Sequence, residues 1–417
     1  MDGWKVVSVA DVAAPSPNSL ATGPFGSSIG SRFFRAFGVP VIRGGNLSAD
    51  SAVRINDKNL VFLTQEKAAE FSRSTVYKGD LIFTSWGTIN QVGLIDGSSE
   101  YDKYVISNKQ MKLTPNPEIA EPEFLYYLFS GPAMQREILE GSIGSSIPGF
   151  NLTRLRSIEI LLPPIEEQRR IARALTDVER LEERLRALID KKQAIKRGML
   201  QELLTGKTAL QGSLSTGRNA ALGEITTWLS GGTPNRNNPT YWGGTIPWIS
   251  AATLRHSRVH DSDQHLTAAG VQAGSKLAPA GATLVLVRGM ALHRETRIGM
   301  ATRPVSFNQD VKALVPKPGV LPEYLVYALQ ARSAHVLDLV SSAGSGTGVL
   351  DTKLLQRLPV WVPNETNQRR IVTAIDAVDR NVEALDRLLS KTQAIKQGFM
   401  QQRLTGRTRL PAKESAA

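Results

Sequence analysis

Two polar runs concentrate the side chains that could do chemistry. SWGTINQ, from Ser85, offers Trp86, Thr88, Asn90 and Gln91, and VRGMALHRETR, from Val287, offers Arg288, His293, Arg294 and Arg297. Arg43, in PVIRGGNL, and Arg255, in SAATLRH, occupy comparable polar stretches. None of these is a nucleophile paired with a base at fixed spacing. Apart from the Thr88 hydroxyl, they are planar groups, most of them hydrogen-bond donors or acceptors. An arginine fork matches the two acceptors on the edge of guanine, and an Asn or Gln amide matches the donor–acceptor edge of adenine. A single residue of this kind is more often a solvated loop residue, so each run counts as a unit.

Catalytic patterns are incomplete throughout. NNPTY, Asn237 to Tyr241, approaches the NPP[FY] motif of DNA adenine methyltransferases, but Thr240 stands at a required proline and no FxGxG loop accompanies it. GKT at Gly206 lacks the first glycine of a phosphate loop, Gln201 standing there, and reads as a helix stop. GSGTG at Gly344 lacks a strand-then-helix context and reads as a turn. His256, His260 and His265 lie in a polar loop without cysteine or a nearby acidic frame, which predicts no metal site. The chain is expected to have no catalytic site and no cofactor of its own.

The bulk properties point the same way. A length of 417 residues predicts at least two domains. The absence of cysteine excludes disulfides and thiolate metal sites and suits a reducing cytoplasm. MDGWKVVSVADV shows no basic segment followed by an apolar run, so no signal peptide is expected, and no apolar run is long enough for a membrane helix. The net charge of +12 favours a polyanionic partner, nucleic acid first. That charge is uneven: residues 1–160 carry 15 Lys+Arg against 16 Asp+Glu, whereas residues 212–360 carry 14 against 8. Any polyanion surface in the first block must therefore be a local patch.

The elements that would position these runs come in duplicate. PPIEEQRRIARALTDVERLEERLRALIDKKQAIKRGMLQELLTGKTAL, from Pro163, aligns without gaps with PNETNQRRIVTAIDAVDRNVEALDRLLSKTQAIKQGFMQQRLTGRTRL, from Pro363, and about half the residues are identical. Ile171, Ala174, Val178, Leu181, Leu185, Leu188, Lys192, Ile195 and Met199 recur at alternating steps of three and four, as do their counterparts from Ile371 to Phe399. That pattern predicts an a/d coiled-coil seam. Lys192, Thr392 and Asn381 are polar breaks that would fix its register. Prolines before each helix and Gly206 and Gly406 after them set the ends. Chain order predicts that the two helices zip antiparallel, with the intervening blocks at opposite ends of a rod about 60 Å long.

The blocks themselves repeat more weakly. SNKQMKLTPNPEIAEPEFLYYLFSG contains Asn108, and FNQDVKALVPKPGVLPEYLVYALQA contains Asn308; each reads as strand, turn and a short helix starting at Pro-Glu. PVIRGGNL parallels IPWISAATL, and GDLIFTSWGTINQVGLIDG parallels GATLVLVRGMALHRETRIGMA. A shared frame with different loops suits a device that reads two different things at a fixed separation. Asn108 and Asn308 are expected to be structural, because a matched position cannot supply different specificity.

The QRRI and LTG-terminated helices resemble the conserved regions of type I restriction-modification specificity subunits. LSGGTPNRNNPTYWGGTIPWISAATL, from Leu229, is similar to the start of many target recognition domains in that family, and GPFGSSIGSRFF, from Gly23, resembles the same region in another branch. The resemblance spans nearly the whole chain. It implies a mixed α/β (α+β) fold: a target recognition domain at 1–160, a long helix in 161–211, a second recognition domain at 212–360, a second helix in 361–411, and a disordered tail at 412–417. It also implies double-stranded DNA with a bipartite asymmetric site, two methyltransferase subunits, and restriction-translocase subunits. S-adenosylmethionine, Mg2+ and ATP would then sit on the partners only. The repeated residues Arg169, Arg170, Gln193 and Lys196, with Arg369, Arg370, Gln393 and Lys396, are expected on the outer helix faces as a partner-docking surface. No base contact carries over by motif. Two alternatives stay open at this stage. A self-contained methyltransferase or nuclease would bind S-adenosylmethionine alone; a coiled-coil scaffold would show no salt-steep affinity for duplex DNA.

Overall fold

The computed structural model describes residues 3–89, 91–140, 150–204, 217–344 and 346–404. It divides into two compact units, Met1–Arg186 with Arg387–Ala417, and Ala187–Asp386. Asn90, the LTG helix stops with Gly206 and Gly406, and the 412–417 tail lie outside the described residues.

Each unit is built on the same sheet plan. In the first, the strands Leu20–Thr22, Gln110–Leu113, Leu81–Thr84 and Val92–Leu94 form an antiparallel sheet in that order. A second sheet orders Val61–Leu63, Val39–Ile42, Lys103–Ile106 and Thr75–Tyr77, and its central pair is parallel. The second unit repeats this. Thr226–Ser230, Val311–Pro316, Thr283–Leu286 and Ile298–Ala301 make the antiparallel sheet, to which Arg258–Val259 adds an edge. Trp242–Ile249 and Val305–Phe307 supply the parallel pair. Val39–Ile42, Leu81–Thr84, Gln110–Leu113, Thr283–Leu286 and Ile298–Ala301 are buried at every position, whereas Thr226–Ser230 and the first half of Trp242–Ile249 stay partly exposed.

The Pro-Glu helices follow, Pro122–Ser130 and Pro322–Ala331, each with its proline at the start, where the missing N–H costs nothing. Each is buried nearly all round, Phe124 to Phe129 and Tyr324 to Leu329. An edge pair then returns the chain: Lys5–Ser8 pairs with Glu159–Leu162, and Gly217–Ala221 with Pro359–Pro363.

Two long helices leave from these pairs, Ile165–Leu204 and Glu365–Arg403. In the first unit Met400 and Leu404 join the core around Ile171, Ala172 and Leu175, while Lys396 reaches Glu179 at 2.7 Å. The later residues of one helix thus meet the earlier residues of the other, so the pair runs antiparallel. The second unit shows the same arrangement, with Leu200, Leu203 and Leu204 beside Ile371 and Ile375, and Lys196 at 2.7 Å from Asp379. Among the described residues no helix is long and apolar enough to cross a membrane.

The seam differs from the heptad expectation. Leu181, Leu188 and Ile195 are 44%, 39% and 42% exposed. Ile171, Leu185, Ile371 and Thr392 of the expected seam are buried, but most of the buried stripe of the first helix runs through Ala172, Leu175, Glu179, Glu182, Ile189, Leu200 and Leu203. It is turned about one residue, roughly 100°, from the predicted line. Lys196 and Lys396 therefore do not stand on the outer face. Lys396 is 8% exposed, and both ammonium groups are spent on carboxylates of the opposite helix. Asn381 is exposed and bonds only its own helix, to the Ala377 carbonyl at 2.7 Å, so it does not fix register. Asn308 is buried and clamps the turn through Asp310. Asn108 is exposed, because the ladder is offset by one residue from the sequence match: Ile106 and Gln110 occupy the positions of Phe307 and Val311, and the buried Ser107 takes the place of Asn308.

Candidate nucleic-acid interface

The two polar runs occupy equivalent loops. In the first unit, Thr84 closes the loop by donating its N–H to the Gln91 carbonyl at 3.2 Å. Gly87 turns the chain at φ +93, and Ile89, 4% exposed, pins the loop to the core. That frame leaves Trp86 52% exposed and Thr88 exposed, with Gln91 half-buried. In the second unit Leu286 closes the loop on the Arg297 carbonyl at 3.0 Å. Gly289 turns it at φ +155, and Leu292 is the buried pin. A positive φ favours glycine, so both loops turn at the same kind of residue. Arg288, His293 and Arg294 are exposed there, with Met290 66% exposed among them.

The second loop is longer and rests on a hairpin. Val340–Ser342 pairs with Gly348–Leu350, and bonds from Ala343 to Thr347 and from Gly346 to Ala343 close the turn between them. Gly289 donates to the Gly348 carbonyl at 2.9 Å, and the His293 ring lies 2.8 Å from the Gly346 carbonyl. GSGTG is therefore a support for the loop as well as a turn.

Arg43 and its surroundings show the same division between frame and loop. Arg43 opens a turn closed by its own N–H donating to Asn46 Oδ1 at 3.0 Å. In the second unit Ser250 donates to Thr253 Oγ1 at 2.9 Å in the same place. Leu47 and Leu254 are the buried anchors that follow. The frame is kept while an exposed arginine in one copy is a serine in the other. The turns lie beside the two polar loops: Ser48 bridges Val92, and Arg297 donates to the Ala251 carbonyl. Arg255 and Arg297 line one open cleft with Glu295 and Thr296. Arg297 is half-buried and tied to Glu295 at 2.8 Å, so it braces the loop, whereas Arg255, Arg288 and Arg294 are exposed.

Reading the residues one at a time missed two cation–aromatic clusters. Arg236 lies 5.2 Å from the ring centres of both Trp242 and Trp248, which meet edge to face at 5.3 Å. In the first unit Lys67 and Arg32 cap Phe33 at 4.1 and 4.7 Å, and Phe25 and Phe37 are 78% and 83% exposed. The signal available in the sequence was the interleaving of arginine and phenylalanine in SRFFRAF. Trp248 is buried and holds Trp242 in place, so the groups left for contact are the exposed Arg236 and Arg32, which suit phosphate, and Phe25 and Phe37, which suit stacking.

The helix motif has a different purpose. Gln168 and Gln368, in the two QRRI copies, are fully buried. Gln168 donates to the Ile119 and Pro163 carbonyls at 2.9 and 2.8 Å and accepts from Glu121 N–H at 2.9 Å. Gln368 repeats this with Gly319, Pro363 and Leu321. The glutamine staples each helix start to the loop before the Pro-Glu helix. Of the expected docking residues, Arg370, Gln193 and Arg369 are exposed, Gln393 and Arg170 are half-buried, and Arg169 is engaged by Glu166 at 2.6 Å and Glu121 at 3.2 Å. Among the described residues no group of three or more His, Asp or Glu is placed to hold a metal. His265 pairs with Asp261 at 2.7 Å and His260 lies 3.1 Å from Thr302.

The family model described as "Type I restriction modification DNA specificity domain" matches residues 1–191 and again 218–393. The chain belongs to this family. It is 32% identical over 160 residues to the type I restriction enzyme EcoR124I/EcoR124II specificity subunit of Escherichia coli, a match covering 38% of this chain and 40% of that protein. It is 26% identical over 210 residues to the MjaX specificity subunit of Methanocaldococcus jannaschii, covering 49% and 46%. These matched segments therefore span less than half the length of either relative. Two solved structures share the fold over almost the whole chain. A type I restriction-modification system chain gives a TM-score of 0.60 at 19% identity, covering 98% and 99%. The type I S subunit from M. genitalium gives 0.60 at 17%, covering 96% of both. The mixed α/β fold with two repeats is that of the family's specificity subunits.

Proposed function

We propose that the chain is the DNA-recognition subunit of a type I restriction-modification assembly and has no catalytic site of its own. One observation carries this reading: equivalent loops at 85–91 and 287–297 share their closing hydrogen bond, glycine turn and buried pin but present different side chains. Each unit then reads its own half of a bipartite double-stranded site, through Trp86, Thr88, Asn90, Gln91 and Arg43 in one and Arg255, Arg288, His293 and Arg294 in the other. Exposed arginines among these suit guanine edges or phosphate. The long helices set the unread spacer. Their outer faces, with Arg370, Gln193 and the exposed Leu181, Leu188 and Ile195, dock two methyltransferase subunits, and restriction subunits join that complex. S-adenosylmethionine, Mg2+ and ATP belong to those partners, and the assembly works in the cytoplasm.

The test is a loop exchange in cells carrying the full set of subunits, read by sequencing methylated positions. Replacing residues 85–91 with those of a relative should alter one half-site only. A change in both halves, or in neither, would overturn independent reading. In the same cells Arg370→Glu should reduce methyltransferase co-purifying with the chain, and an unchanged yield would remove that face from the docking surface.

A further inference from the structure

A cluster of charges, buried in the first unit and partly exposed in the second, is used by neither polar loop and joins each globular block to both long helices. In the first unit it gathers side chains from four elements. Arg54 comes from the 48–60 loop, Tyr127 from Pro122–Ser130, Glu179 from the first long helix and Lys396 from the second. Arg54 donates to Glu179 Oε2 at 2.8 Å and to the Tyr127 hydroxyl at 2.7 Å. The Tyr127 hydroxyl donates to the same carboxylate oxygen at 2.7 Å. Lys396 Nζ sits 2.7 Å from the other oxygen, Oε1, and Ser51 donates to that oxygen at 3.1 Å. The Arg54 guanidinium also lies 4.3 Å from the ring centre of Tyr126. Arg54, Glu179 and Lys396 are 8%, 5% and 8% exposed.

The second unit rebuilds the cluster from the other ends of the helices. Tyr327 donates to Asp376 at 2.5 Å and to Asp379 at 3.1 Å. Arg258 from the sheet edge reaches Asp376 at 2.9 Å, and Lys196 reaches Asp379 at 2.7 Å. Tyr127 and Tyr327, Glu179 and Asp379, and Lys396 and Lys196 are equivalent positions of the repeat.

Burying charges is costly, and an apolar contact of the same volume is often more stable. What directional bonds supply instead is a single geometry, since an apolar seam tolerates a slide that an arginine–carboxylate–lysine set does not. We propose that Glu179, with Arg54, Tyr127 and Lys396, is a positioning cluster. It fixes the angle at which the first recognition domain leaves the helix pair, and so holds the unread spacer to one length; Asp376 and Asp379 with Arg258, Tyr327 and Lys196 do so for the second. This rests on the recognition reading above.

The test uses the assembled methyltransferase complex and methylome sequencing. Wild type should methylate a bipartite site with a single spacer length. Glu179→Gln, which keeps the shape and removes the charge, should leave both half-site sequences unchanged while raising the share of methylated sites whose spacer is one base pair longer or shorter by about tenfold. Glu179→Asp, the residue used at 379, should restore most of the selectivity. Should the Gln variant fail to fold, Tyr127→Phe decides, since it removes one hydroxyl from an otherwise intact core and should broaden the spacer in the same direction by a smaller factor. A folded, methylating variant with a single unchanged spacer would overturn the positioning role. A wild-type complex that methylates no bipartite site would instead overturn the recognition reading.

Discussion

Replacing Gln168 by methionine tests what the QRRI motif does. The substitution keeps the length and volume of the side chain and deletes its amide. Three hydrogen bonds go with it, to the Ile119 and Pro163 carbonyls and from the Glu121 N–H, at 2.8 to 2.9 Å in a site with no solvent exposure. Each is worth about 1 kcal/mol net, and a buried group left unpaired costs about 1–3 kcal/mol. Carbonyls tolerate under-satisfaction better than N–H groups, so the total loss is about 3–5 kcal/mol, a large fraction of ordinary domain stability. Urea unfolding of the full chain measures it. Trp4 reports on this site by fluorescence, because its indole donates to the neighbouring Glu167 at 3.2 Å. The midpoint should fall with an unchanged slope. Gln368→Met should produce a loss of the same size in the second unit. A loss below about 1 kcal/mol would mean that water or a small backbone shift replaces the amide, and that the motif is kept for a surface role.

Inserting four residues at the middle of each long helix, after Arg186 and after Asp386, adds about 6 Å and close to one turn, so the stripe stays in phase. Insertion at Leu204 and Leu404 is unsuitable, since both are buried in unit cores. Methylome sequencing should show both half-sites unchanged and the spacer lengthened by about one or two base pairs of roughly 3.4 Å each; an active variant with an unaltered spacer would refute the helices as the ruler. Burial, and then the adjacent Glu121, pushes the Glu123 carboxyl up to about 7. Because that value is raised, its stabilising contribution is full below the ordinary carboxyl range and is lost as pH rises through about 7. Stability relative to Glu123→Gln should therefore fall by about 1–2 kcal/mol between pH 4.5 and 8, after allowing for partial exposure. Parallel stability–pH curves for the two proteins would show that Glu123 is not the group responsible.

The sequence by itself determined the duplication, the two long helices, the Pro-Glu helix starts, the paired β-runs and the loops between them. Those features rest on local rules: proline at a helix start, apolar periodicity, and glycine where a turn needs positive φ. The equivalence of the 85–91 and 287–297 loops was legible for the same reason. Only the tertiary structure decided which helix face is inside. Leu181, Leu188 and Ile195 offer one apolar stripe, and Ala172, Leu175 and Ile189 another roughly 100° away. Periodicity cannot choose between stripes that close. The choice depends on carboxylates at Glu179 and Asp379 meeting Lys396 and Lys196, partners far apart in the chain and brought together by the antiparallel pairing. The same holds for Gln168, which reads as one more polar residue of an amphipathic helix. Its three bonds exist only because the helix start docks on the backbone before the Pro-Glu helix. A charge or amide inside a fold is decided by its distant partner, and one-dimensional pattern carries no information about that partner.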